Sequence, residues 1–252
     1  MIRRSDFRTR LMAAAAYPLL PVLIAQGKGV RRRTPRLPDA AGATVGTIGR
    51  DGEGEPLRLL VLGESTVAGI GAAGHDRALT GCIAAGLARR TGRAVRWRAA
   101  GRSGANARAA MELVAELPDE RSDVVVVSLG VNDTLRFRAP WLWMRDVERL
   151  IAAVRGRAGP APVVLAPVPP MHTFPALPQP LRAVLGARAR RLDAALARLP
   201  SRLAAVSHVP LWIEPAPELF CGDGFHPSEA GYAVIGEQLA AEAARLAGID
   251  RR

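Results

Sequence analysis

Residues 57–66 read Leu-Arg-Leu-Leu-Val-Leu-Gly-Glu-Ser-Thr. Five of the first six side chains are apolar and the run stops at a glycine, the pattern of a short strand buried on both faces, since a half-buried strand would alternate. Its end delivers a hydroxyl, Ser65, into a turn. Similar runs predict strands over 94–100, 124–129, 163–166 and 203–206, with helical stretches between them at 105–117, 141–155 and 181–199. Tyr232, Ile235, Leu239 and Leu246 then share a 3.6-residue stripe, which predicts a last helix with Ser228 as its cap. This alternation predicts an α/β fold of three layers, α/β/α, around a doubly wound, mostly parallel five-stranded sheet with right-handed crossovers. Ligands of such sheets bind outside the carboxyl ends of the strands. Chemistry should therefore follow the strand ends.

The rest of the chain is organised around that body. Its 252 residues are enough for one domain with a substantial core. The formal charge of +12 suggests a nucleic-acid binder only until it is located. Residues 1–36 hold nine basic side chains against Asp6 alone, so the remaining 216 residues carry only +4, interspersed as on a solvated surface. Nucleic acid is thereby disfavoured as a partner. The basic residues flank an apolar run at 11–27, interrupted by Pro18 and Pro21. As a continuous helix it would span about 26 Å, slightly short of the roughly 30 Å hydrocarbon core of a bilayer. Export signal, membrane-surface anchor and helix packed on its own domain are its three readings. Membrane association or export is the expected location, a cytoplasmic one the alternative. Residues 37–56, rich in Pro, Gly and Ala, read as a linker, and 57–247 as the functional domain. Cys82 and Cys221 supply neither a disulfide framework nor metal-ligand spacing.

Four short motifs stand where strands end. Gly63-Glu64-Ser65-Thr66 follows the first strand and is not the G-x-S-x-G elbow, because Val67 stands two residues after Ser65. Gly101 follows the second strand, and Gly130-Val131-Asn132-Asp133 the third. Asp223-Gly224-Phe225-His226 precedes the final helix. Each alone is ordinary turn or cap chemistry. A three-residue interval nevertheless lets Asp223 fold onto Nδ1 of His226, leaving Nε2 for a serine.

Together, in this order, the four resemble the blocks of the SGNH (GDSL-like) hydrolase family over residues 57–247. The resemblance implies a flavodoxin-like sheet and an esterase or lipase-like acylhydrolase that needs no metal and no cofactor. It implies Ser65 as nucleophile, Asp223 and His226 as its partners, and an oxyanion hole from the Ser65 amide, Gly101 and Asn132. Its substrate would be a small-molecule or lipid ester. One departure is visible: the family's first block usually reads Gly-Asp-Ser, and here Glu64 takes the middle place. A carbohydrate O-deacetylase or acyltransferase is the alternative on the same fold. A catalytically silent, membrane-attached interaction module is the alternative outside enzymes.

Two decoys fail. Gly69-Ile70-Gly71-Ala72-Ala73-Gly74 matches G-x-G-x-x-G but starts six residues past Gly63, and no acidic residue follows the second strand to hold a ribose. His75, His172 and His208 are isolated in sequence from Cys or carboxylate clusters. The Pro-rich segment 167–180 follows the fourth strand. Its Met171, Phe174 and Leu177 are expected either to line an acyl pocket or to cover the following helix. The number of copies in the working assembly is left open by the sequence.

Overall fold

In a computed structural model the described residues are 19–49, 55–210 and 216–249. Among these residues helix α1 (Leu20–Arg33) comes first, its start set by Pro21. Six strands follow: β1 (Val45–Ile48), β2 (Leu57–Gly63), β3 (Val95–Gly101), β4 (Val124–Ser128), β5 (Val163–Leu165) and β6 (Val206–His208). The helices between and after them are α2 (Leu79–Thr91), α3 (Ala110–Glu116), α4 (Val131–Leu135), α5 (Pro140–Ala158), α6 (Leu181–Leu196) and α7 (Glu229–Leu246). The sheet order is β1-β3-β2-β4-β5-β6, parallel throughout except for β1.

The strand period of two explains the layers. Leu60 and Leu62 of β2, with Val125 and Val127 of β4, face α3, α5 and α6. Leu57, Leu59 and Val61, with Val124 and Val126, face α2 and α7. Both faces of the central strands are therefore covered, which is why their sequences do not alternate. Ser228 caps α7, its hydroxyl accepting from the Gly231 amide.

Three expectations change. The sheet has six strands, not five, because β1 lies inside the expected linker and pairs antiparallel with the outer side of β3, Val45 opposite Arg98. Its half-exposed four residues carry too little apolar signal to be read as a strand. The last strand begins at Val206, not 203, because Leu199–Ser201 forms a 3₁₀ turn and Ala205 sits at φ +51°. Helix α3 starts at Ala110, not 105. The residues before it are held in turns instead, Asn106 Oδ1 accepting from the Ala109 amide and the Asp133 carboxylate from the Ala107 amide.

Of the apolar run at 11–27, residues 11–18 lie outside the described residues. Helix α1 buries Leu23 against the body, and its Gln26 accepts from the Leu181 amide and donates to the Gln179 carbonyl. No helix among the described residues is long and apolar enough to cross a membrane.

Candidate active site

The carboxyl ends of β2, β3 and β4 lie side by side, Gly63 opposite both Gly101 and Ser128. The first three motifs therefore open on one edge. Just past β2 the chain turns sharply, with the amides of Val67 and Ala68 donating back to the Glu64 carbonyl, and Ser65 sits in that turn. Gly101 is packed so tightly on it that a Cβ would fall 2.3 Å from the Ala68 nitrogen. Only glycine allows this approach.

The loop before α7 supplies the partner groups. A 3₁₀ turn at Pro217–Leu219, a bridge between Phe220 and Pro227, and Gly224 at φ +62° fold it back on itself. Asp223 Oδ1 accepts from the backbone amides of Phe225 (2.8 Å) and His226 (2.9 Å), and from the Cys221 thiol (3.0 Å). Its Oδ2 lies 2.6 Å from His226 Nδ1, and His226 Nε2 lies 3.1 Å from Ser65 Oγ. Burial works to raise the Asp223 carboxyl, but the hydrogen bonds from His226, Cys221 and Phe225 outweigh it and hold the group at about 2. An ionised Asp223 only accepts, so Nδ1 carries the proton and Nε2 presents its lone pair to Ser65. The three side chains thus form one continuous hydrogen-bonded line from Asp223 to Ser65.

A model of the GDSL-like lipase/acylhydrolase family matches residues 61–234, which include all four motifs. The chain belongs to this family. Among curated proteins, the GDSL-like esterase Rv1075c of Mycobacterium tuberculosis (strain ATCC 25618 / H37Rv) is 31% identical over 199 residues, 73% of this chain. The chain spans about 60% of that relative's length. Solved structures share the fold. The lipase Lip_vut3 from a goat rumen metagenome superposes with a TM-score of 0.59 at 18% identity, covering 77% of this chain and 99% of its own. A carbohydrate esterase family 2 enzyme of Myceliophthora fergusii, with its carbohydrate-binding domain, gives 0.60 at 18%, covering 80% and 68%.

In this member of the GDSL-like lipase/acylhydrolase family, Asn132 stands at the start of α4 with its side-chain amide drawn to Glu64. Glu64 is 3% exposed. Burial pushes its carboxyl up to about 7, against the hydrogen bonds from Val131 and Asn132. The sequence marked Glu64 only as a departure. Its contacts needed the fold.

Beside Ser65 and His226 opens a cavity of about 120 Å³, walled by Val131, Pro169, Pro170, Phe174, Phe220 and Phe225. Phe174 meets Phe220 edge-on at 5.7 Å between ring centroids. Thr66 and Ser128 add a hydroxyl pair 3.1 Å apart. Of the three expected pocket residues only Phe174 lines it. Met171 and Leu177, 0% and 2% exposed, belong to the apolar core shared with α6 and are corrected to structural positions. Phe220 and Phe225 were missed; their proximity to His226 in sequence was the one available signal. A second cleft of about 280 Å³ lies at the opposite, amino-terminal ends of the strands, lined by Arg58, Arg96 and Arg157, and reaches none of these groups. Among the described residues no group of three or more His, Cys, Asp and Glu could hold a metal ion. His208 pairs instead with Asp193 at 2.9 Å.

Proposed function

We propose that this GDSL-like hydrolase cleaves carboxylic esters through an acyl-enzyme on Ser65. The observation that carries the reading is the unbroken relay from Ser65 Oγ to His226 at 3.1 Å and on to Asp223 at 2.6 Å. His226 Nε2 takes the hydroxyl proton as Oγ attacks the acyl carbon, while Asp223 stabilises the imidazolium that forms. The tetrahedral oxyanion receives hydrogen bonds from the Ser65 and Gly101 amides and from Asn132 Nδ2, each worth about 2.7 to 4 kcal/mol on the mutational scale. His226 then protonates the leaving alcohol. Water, activated by the same imidazole, repeats the sequence on the acyl-enzyme and releases the acid.

The cavity wall supports an apolar acyl group longer than acetyl, because Phe174, Phe220, Phe225 and the prolines offer it carbon and no hydrogen-bond donor. The N-terminal segment, residues 1–36, is proposed to meet anionic membrane surfaces. Supporting this, α1 exposes Leu20, Val22 and Ile24 and ends in Arg31, Arg32 and Arg33.

Labelling by a fluorophosphonate, together with hydrolysis of an acyl-ester panel, tests the reading. Labelling lost in Ser65→Ala and rates that rise from acetyl to longer chains are expected. Labelling that persists in Ser65→Ala overturns the nucleophile. A preference confined to acetyl esters overturns the acyl-chain assignment in favour of a deacetylase.

A further inference from the structure

Helix α4 starts under an unusual constraint. Its N-cap position is Gly130, at φ +129°, and a Cβ there would fall 2.6 Å from Val168 Cγ2. The first amides of a helix are usually capped by the side chain at that position. Here no side chain fits. The amides of Val131 and Asn132 are taken instead by Glu64, which reaches across from the end of β2: Oε1 accepts from Val131 at 3.0 Å and Oε2 from Asn132 at 3.1 Å. The same Oε2 accepts from Asn132 Nδ2 at 2.5 Å.

Once ionised, above about pH 7, Glu64 offers only acceptors, and it then discriminates between the two ends of a carboxamide. Asn132 must turn its NH₂ group toward Glu64, because its own oxygen would be repelled. Nδ2 carries two hydrogens, of which Glu64 uses one. The other remains for an acceptor. Glu64 is also bonded in the chain to Ser65, so one residue joins the nucleophile's turn to the amide donor.

We propose that Glu64 is a positioning residue of the oxyanion hole, holding the Asn132 carboxamide in its donating orientation at a fixed distance from Ser65. This rests on the reading of Ser65 as nucleophile. The length of the side chain is part of the function: an aspartate is shorter by one C–C bond, about 1.5 Å, and its oxygens would withdraw from all three donors. Restoring the family's usual Gly-Asp-Ser in this chain should therefore weaken the enzyme.

The test is a double-variant comparison on one acyl ester that the unaltered enzyme hydrolyses, using Glu64→Gln, Glu64→Asp, Asn132→Ala and Glu64→Gln with Asn132→Ala. Glu64→Gln is expected to lower kcat by about 10-fold or more with KM changed less than about twofold, since a misplaced group costs rate without costing affinity. Glu64→Asp is expected to fall between it and the unaltered enzyme. In the Asn132→Ala background the Glu64→Gln loss should vanish, as it must when one residue acts through the other. Losses that multiply independently, or that fall on KM alone, overturn the proposal. Should Glu64→Gln lose its cooperative melt, Glu64→Asp with and without Asn132→Ala supplies the same comparison, and loss of folding in both makes Glu64 a folding residue and overturns it. Failure of the underlying reading looks different: the unaltered chain would not hydrolyse the ester, or Ser65→Ala still would.

Discussion

The rings of Phe174 and Phe225 meet edge to face, 5.0 Å between centroids and 83° between planes. The loop after β5 and the loop that carries His226 thus share one apolar wall, and Phe225 in turn packs against the His226 ring at 5.3 Å. Phe174→Ala should weaken kcat/KM on longer acyl esters by about 1 to 3 kcal/mol more than on acetyl esters, the scale of pocket contacts. Rates across acyl lengths, measured on protein shown to melt cooperatively, check this. Equal losses would assign Phe174 to structure alone.

Asp223→Asn should lower kcat by roughly 10⁴-fold with the fold retained, because an amide in that place can donate to Nδ1 and so favours the wrong imidazole tautomer. Steady-state rates and a thermal melt decide it. A loss below tenfold would remove Asp223 from the relay.

Asn132→Ala should cost kcat roughly 10²-fold or more and leave KM nearly unchanged, since its donor acts on charge that exists only in the transition state. A change confined to KM would make Asn132 a substrate-binding residue instead.

Glu64 should also write a slope into the pH dependence of stability. Its carboxyl is raised from 4.5 to about 7 in the folded chain, burial outweighing the amides of Val131 and Asn132. Below pH 4.5 the group is protonated in both states and costs nothing. As pH rises toward 7 the unfolded chain releases the proton while the folded chain keeps it, so stability falls by about 3 kcal/mol and then levels. Asp133, near Glu64 and also raised by burial, acts in the same direction. Subtracting the curve of Glu64→Gln isolates the Glu64 contribution. Asp223, held at about 2, contributes stability above pH 3.8 that is lost as pH falls through 2, outside this window. Denaturant melts at pH 4.5 and 7 supply the numbers, and parallel curves for the two proteins would sink the assignment.

Removing residues 1–33 should leave a folded, active enzyme with weaker binding to anionic vesicles, because α1 buries little beyond Leu23. Removing residues 1–55 should lower Tm further, since it also takes β1 and leaves the outer side of β3 unpaired. Equal melting temperatures for the two would show that β1 contributes nothing to stability.

The layered fold was legible in the sequence because its cause is local: Leu57 to Leu62 and Val124 to Val127 are apolar at both parities, and only a strand covered on both faces makes that pattern sensible. That Ser65, Asp223 and His226 meet was legible through spacing and order along the chain. Strand β1 was not, because four half-exposed residues owe their pairing to the neighbouring edge of β3 and not to their own composition. The fate of the 167–180 segment was likewise undecidable from its residues. Met171, Phe174 and Leu177 are equally apolar and all join the core, and only the packing of that loop on α6 and against Phe225 brings Phe174 alone to the cavity wall. Glu64 shows the same division. The sequence marked it as a departure from Gly-Asp-Ser, whereas its hold on Asn132, 68 residues away in the chain, depends on β2 and β4 being neighbours in space that end at the same level.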